Sequence, residues 1–346
     1  MRLLMLSWRG PDHPAAGGAE QYTLQVLRAL SARGHRITWF CEQATRPMVD
    51  GISIVGGGPP PSLYIRGDRF LRRHARLFDV VVDQINVCGF FTPFLSPIPV
   101  LVLIHQRAAE MWAEHPYSAR RLLGPLGERL ALAPYHHHPF VTVSRTTLED
   151  LRGQGWDGPA FIAYNGVEVR PPKTKETRPT MVFLGRLGAP GKRLDQALRA
   201  HALLRQHLPS LQLWVIGRGR PPHERPEGVH FFVNVSDAER DDRLGRSWVL
   251  IATSIREGWG RMVLEAAACG TTSVVYGTPG LDEAAAAVGG VVSDPVPEAL
   301  AAAVQRLLLD PADVERRGKT AAQAAQGFNW NRTADVWEQA LTTLIP

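Results

Sequence analysis

The chain has 346 residues and carries 39 lysines and arginines against 33 aspartates and glutamates, a net charge of +6, so it is long enough for two domains and its mild basic excess suits an anionic ligand rather than nucleic acid. Its three cysteines, Cys41, Cys88 and Cys269, are odd in number and far apart, which excludes a disulfide framework or zinc knuckle and points to a reducing cytosol. No apolar run reaches the roughly 18 residues of a membrane span, and the N-terminal run is too short for a signal peptide.

Taken in order, residues 3–6 form an apolar run of the buried parallel-strand type, followed by a loop with Gly17 and Gly18 and a helical period in Tyr22, Val26, Leu27 and Leu30 that stops at Gly34. A strand at 37–41 completes a strand-helix-strand unit, and further strands are expected at 52–55, 80–82, 100–104 and 140–143. Between them Arg66, Arg69, Arg73 and Arg76 recur at helical spacing on one face. That stripe fits an ordinary solvated face, or peripheral contact with an anionic membrane at its inner surface. Thr146 with Glu149 predicts a capping box for the helix after residue 143. His136, His137 and His138 point apart on a helix, so they predict a helix end rather than a metal site. Residues 170–179 contain three prolines and no apolar residue, which predicts a linker. The alternation then restarts with strands at 181–184, 211–216, 229–233, 248–252 and 273–275 and helices to the end. The expected organisation is therefore a first Rossmann-like domain over 1–169, a linker over 170–179, a second over 180–327, and a terminal helix over 328–346 that crosses back to the first domain. Two such doubly wound α/β domains would present a cleft at the carboxyl ends of their strands.

Four features carry chemistry. Gly17 and Gly18 open a helix after the first strand, where backbone amides can approach a phosphate. Gly185 to Lys192 follows a strand with Arg186 and Lys192 on a glycine-rich loop, able to clamp a diphosphate through a planar fork and a point charge. His105 follows the 100–104 strand, at the edge where open α/β sheets contact ligands. The stretch from Ser254 to Gly270 reads as a turn, with Gly258, Trp259 and Gly260, feeding a helix over 261–269 that Gly270 stops. Two acids, Glu257 and Glu265, bracket that turn beside the positive end of the helix, an arrangement suited to a phosphorylated, polyhydroxylated ligand.

Together these features resemble the retaining glycosyltransferases of family 4, which have the GT-B fold. The resemblance covers nearly the whole chain. It is most specific in the Glu, seven residues, Glu spacing of Glu257 and Glu265, and it extends to Gly217 after a strand, Asn165-Gly166-Val167, Gly280-Leu-Asp-Glu283 and the late Phe328-Asn-Trp330. Trp259 replaces the commoner Phe, Glu168 stands where Asp is usual, and 218–227 is unusually rich in Arg and Pro. The resemblance implies metal-independent transfer of a hexose from a nucleotide diphosphate sugar to an acceptor hydroxyl with retention, without any cofactor. It implies that Arg186 and Lys192 hold the diphosphate, Glu265 the ribose, and Glu257 with the amides of Gly258, Trp259 and Gly260 the donor sugar. Gly18 would meet the phosphate and His105 the sugar.

Rival readings are a nucleotide-sugar epimerase of the same architecture, a non-catalytic nucleotide-sugar-binding partner, and a nicotinamide-dependent oxidoreductase. The last lacks its glycine fingerprint after the first strand. Neither the donor sugar, its base, nor the acceptor is written in a motif.

Overall fold

Continuous apolar runs become the strands of two parallel sheets, and the burial of successive residues along them requires helices on both faces. The computed structural model describes residues 1–114, 117–223 and 225–345; positions 115, 116 and 346, and 224 in the 218–227 segment, lie outside the described residues. The chain divides into one unit of residues 1–166 and 330–346 and another of 167–329.

In chain order the first unit contains β1 (Arg2–Leu6), α1 (Gly18–Ala32), β2 (Arg36–Cys41), β3 (Met48–Val49), β4 (Ile52–Gly56), α2 (Ser62–His74), β5 (Val80–Ile85), α3 (Thr92–Leu95), β6 (Val100–Ile104), α4 (Ser118–Leu132), β7 (Phe140–Thr142), α5 (Arg145–Gly153) and β8 (Ala160–Ile162). Its sheet order is β3-β4-β2-β1-β5-β6-β7-β8, parallel except for β3 against β4. The second unit contains β9 (Thr180–Leu184), α6 (Leu194–Arg205), β10 (Gln212–Gly217), β11 (Val229–Val233), α7 (Asp237–Arg246), β12 (Val249–Ala252), α8 (Arg261–Ala268), β13 (Thr272–Tyr276), α9 (Leu281–Ala287), β14 (Val291–Ser293), α10 (Pro297–Leu308) and α11 (Pro311–Ala325). Its sheet runs β11-β10-β9-β12-β13-β14. In each unit the chain steps outward to one side and then returns to the other, which makes switch points between β1 and β5 and between β9 and β12.

The final helix, α12 (Trp330–Thr342), belongs to the first unit. Trp337 is fully buried and donates from Nε1 to the Tyr22 hydroxyl at 2.9 Å, while Tyr22 donates to the Ala163 carbonyl at 2.9 Å. At its edge Arg33 pairs with Asp335 and Glu338 at 2.8 and 2.7 Å.

One local expectation changes. The N-cap of α5 is Ser144, whose hydroxyl accepts from Thr147 N at 3.0 Å, so the cap lies two residues before the one that the Thr146 and Glu149 spacing implied. His136 to His138 follow the 3₁₀ turn that ends the helical run of α4, as expected of a helix end, and burial lowers the pKa of His136 and His138. Residues 170–179 are irregular but fastened to the second unit. Arg170 N donates to Ala268 O at 2.8 Å and Glu176 N to Arg246 O at 2.9 Å. The Lys175 ammonium is surrounded by Gly245 O, Ser247 O, Gly270 O and Thr271 Oγ1 at 3.0, 2.7, 2.9 and 2.7 Å.

A buried histidine makes the second unit acid-sensitive. His201 on α6 is 1% exposed, sits 3.3 Å from the Leu211 carbonyl through Nε2, and burial pulls its pKa down to about 4. A depressed folded-state pKa contributes stability that is fully present above the unfolded value near 6.5 and is lost as pH falls through 4. The shift corresponds to roughly 3 kcal/mol at most. Thermal melts at neutral pH and near pH 4 are expected to show a fall that His201→Gln reduces; an equal fall in that variant would assign the acid sensitivity to other groups.

Candidate functional site

Two loops at the switch point of the second sheet are stitched together by backbone. The loop after β9 is held to the end of β10 by Gly185 N donating to Ile216 O at 3.0 Å and Leu187 N donating to Arg218 O at 2.8 Å. That approach explains Gly217, where a Cβ would fall 1.9 Å from Gly185 O. The loop after β12 joins it through Ile255 N, which donates to Gly191 O at 2.9 Å, and the Thr253 hydroxyl, shared between Lys192 O and Arg193 O at 3.0 and 2.9 Å. The consequence is a close ion pair between the Lys192 ammonium and Glu257 Oε1, both largely enclosed. Arg186 stands exposed on the first of these loops.

The turn that carries Glu257 rests on the start of α9. Glu257 N donates to Pro279 O at 2.9 Å and Thr278 Oγ1 donates to Ser254 O at 2.8 Å. Gly280 has φ +82° and would place a Cβ 2.1 Å from Glu257 O. Gly280→Ala is therefore expected to cost about 1–3 kcal/mol and to displace Glu257 from Lys192. Unchanged melting and ligand affinity in that variant would show that the turn adapts.

Gly260 caps α8 with φ +66°, and Trp259 is buried with its ring 5.5 Å from Phe328, so the indole packs within the second unit. Glu265 lies on the second turn of α8. Its Oε1 is 2.9 Å from Arg261 Nε and 3.8 Å from Arg240 Nη1 of α7. The two acids thus have different cationic partners, Glu257 on the β9 side and Glu265 on the α7 side. Arg240, with Asp237 and Asp241 at 2.8 and 2.7 Å, was not singled out from the sequence, since its spacing on α7 reads as a solvated charged face.

In the first unit Gly17 N is bound by Glu20 Oε2 at 2.6 Å, so Glu20 serves the helix cap. A Cβ at Gly18 would meet nothing within 4 Å, which leaves open space over the first turn of α1. One turn later Tyr22 meets His105 edge-on at 5.1 Å, and His105 Nε2 lies 3.4 Å from Gln84 Nε2. Burial lowers the His105 pKa to about 4, so at neutral pH it offers a neutral imidazole rather than a cation. Arg66, Arg69, Arg73 and Arg76 are all exposed, while Leu63, Gly67 and Leu71 face inward. Among the described residues no group of three His, Cys, Asp or Glu is arranged to hold a metal ion, and no helix is long and apolar enough to cross a membrane.

Comparison with known proteins decides the family. Residues 16–170 match the profile described as Glycosyltransferase Family 4, and residues 167–325 the one described as Glycosyl transferases group 1. A D-inositol 3-phosphate glycosyltransferase from Kineococcus radiotolerans is 32% identical over 398 aligned positions, covering 94% of this chain and 90% of that protein. The chain belongs to glycosyltransferase family 4. A phosphatidyl-myo-inositol mannosyltransferase from Propionibacterium freudenreichii is 31% identical over 190 residues, 52% of this family 4 chain and 47% of that protein. The match to a Streptomyces griseus D-inositol 3-phosphate glycosyltransferase, 34% identical, likewise spans 46% of the chain and 39% of the relative. Among solved structures, sucrose-phosphate synthase from Thermosynechococcus elongatus superposes with a TM-score of 0.81 at 19% identity over 99% of this chain and 98% of that one. Anabaena Alr3699/HepE in complex with UDP-glucose gives 0.78 at 16% identity, over 99% and 100%. At such identities these structures establish the shared GT-B fold of two parallel-sheet α/β domains. Family membership makes the protein a glycosyltransferase and sets aside the oxidoreductase reading.

Proposed function

We propose that this glycosyltransferase binds a nucleotide diphosphate sugar at the β9 and β12 switch point and transfers its hexose to an acceptor hydroxyl with retention and without a metal. The observation that carries this is the meeting of Lys192 and Glu257 from the two loops that flank the switch point, where open α/β sheets bind ligands. The solved relative in complex with UDP-glucose supports a nucleotide-sugar donor.

In this reading Glu257 orders Lys192 and, with the amides of Gly258, Trp259 and Gly260, meets the sugar hydroxyls. Glu265 takes the ribose, with Arg261 and Arg240 fixing its rotamer. Gly185 and Gly217 let the backbone come close to the nucleotide. Within the first unit, Gly18 leaves room for a phosphate over the start of α1, and the neutral His105 offers a hydrogen-bonding partner to a sugar hydroxyl. Breaking the bond between the anomeric carbon and the phosphate oxygen leaves charge on the nucleotide diphosphate, which Arg186 and Lys192 receive. The acceptor oxygen bonds to the same face of the anomeric carbon, and its proton passes to the departing phosphate oxygen. No protein nucleophile is required. Peripheral contact with an anionic membrane through Arg66, Arg69, Arg73 and Arg76 belongs to the same reading.

A thermal-shift panel of UDP, GDP, ADP and dTDP sugars tests the donor site directly. A ligand present at a hundred times its Kd adds about 2.7 kcal/mol to the folded state, so one base is expected to raise the melting temperature clearly above the others. No shift with any of them would remove the donor assignment. Transfer is expected to persist in excess EDTA; loss that added divalent cation restores would end the metal-independent version. Isomerised donor in the absence of acceptor would favour the epimerase reading, and donor binding without transfer or hydrolysis the non-catalytic one.

A further inference from the structure

Helix α4 turns its apolar side outward. Leu122, Leu123, Leu126 and Leu130 are 80, 61, 56 and 65% exposed, and at helical spacing all four fall within an arc of about 100°. Single exposed leucines are ordinary, but four on one arc are not. The opposite side is what fastens the helix. Glu128 is buried and accepts from Ala108 N, Ala109 N and Trp112 Nε1 at 2.6, 3.3 and 2.9 Å. The Trp112 ring lies against Gly124, where a Cβ would sit 2.3 Å from it, and Leu132 is buried. A surface helix normally puts leucine toward the core; here an acid and a glycine take that side.

The charges decide what this face meets. Arg120, Arg121 and Arg129 are exposed on the same helix, with Arg120 and Arg129 on either flank of the leucine arc by helical spacing. The only acid of α4 is the buried Glu128. Glu110 and Glu114 precede the helix, on the segment whose Trp112 packs against Gly124. A symmetric pairing of two copies through this face would bring Arg120 and Arg129 toward their counterparts, whereas an anionic lipid surface is complementary both to the leucines and to the arginines that flank them.

We propose that α4 is an interfacial helix that seats the first unit on an anionic lipid surface, with the four leucines at the acyl boundary and the arginines among the phosphates. This site is separate from the arginine face of α2, and it does not depend on which donor or acceptor the enzyme uses.

The test is co-sedimentation of the full chain with phosphatidylcholine vesicles, with and without phosphatidylglycerol at about one lipid in three. The wild type is expected to pellet with the anionic vesicles only. The double variant Leu122→Gln, Leu126→Gln is expected to lose at least about tenfold in partitioning, with unchanged melting temperature and unchanged thermal shift by the donor. A variant with Arg66, Arg69, Arg73 and Arg76 all replaced by Gln is expected to retain most of the binding. Absence of pelleting at low salt would overturn the proposal. So would equal pelleting of the leucine variant, loss confined to the α2 variant, or a wild-type dimer by light scattering that the leucine variant dissolves. Because donor binding is read separately, failure here leaves the sugar-transfer reading standing, and the reverse.

Discussion

Replacing Arg186 by alanine is expected to lower turnover by about 10² to 10³ fold while leaving the fold intact, since the loss of one donor to developing charge has that effect. The side chain is exposed, on a loop whose shape is set by backbone bonds from Gly185 and Leu187, so the melting temperature should stay within about 2 °C of wild type. The effect should fall on turnover more than on apparent donor affinity, because the diphosphate gains negative charge as the sugar leaves. Lys192→Ala is a different experiment. It strips Glu257 of its cation as well, so donor affinity and turnover should fall together. Full turnover in the Arg186 variant would take that residue out of the mechanism and leave Lys192 and the amides of 258–260 to meet the charge.

Replacing Lys175 by methionine is expected to destabilise the second unit by roughly 3 kcal/mol, because three carbonyls and a hydroxyl would lose one charged donor at once. For a unit of this size that is a fall of about 6 to 12 °C in melting temperature. Burial pulls the Lys175 pKa down to about 8, yet four oxygens within 3.0 Å hold the ammonium at neutral pH. Its partners explain why it bears on the site. Gly245 and Ser247 end α7 and Gly270 and Thr271 follow α8, the two helices that carry Arg240 and Glu265. Melting within about 2 °C of wild type would mean that water replaces the ammonium without penalty.

Strands, turns and the principal glycines were legible because they rest on local rules. The five-residue run of β6 is buried at every position, as a continuous apolar stretch requires. The turn at 258–260 and the stop at Gly270, with φ +75°, follow from glycine's tolerance of positive φ. Misreadings came where two local patterns competed. Thr146 with Glu149 matches a capping box, but Ser144, exposed to no solvent at all, takes the Thr147 amide, since Ser is as good an N-cap as Thr and stands two residues nearer the strand. Helix α4 was invisible for a related reason. Gly124, Pro125 and Gly127 are poor helix formers, and only the bonds to Glu128 and the Trp112 contact show how it is anchored.

What the sequence determined by itself was the alternation of elements, and with it the two parallel sheets and the spacing of Glu257 from Glu265. These follow from periodicity and backbone preference, which act over a few residues. Tertiary structure alone decided the partners: Lys192 with Glu257 across 65 residues, Arg240 with Glu265, Lys175 within its cage of oxygens, and Asp83 buried against Phe90 N, the Thr92 hydroxyl and the Tyr135 hydroxyl. A charged side chain carries no local sign of its partner. Whether it is solvated, paired or buried depends on which loops the sheet order brings together, and that is set by packing over the whole unit.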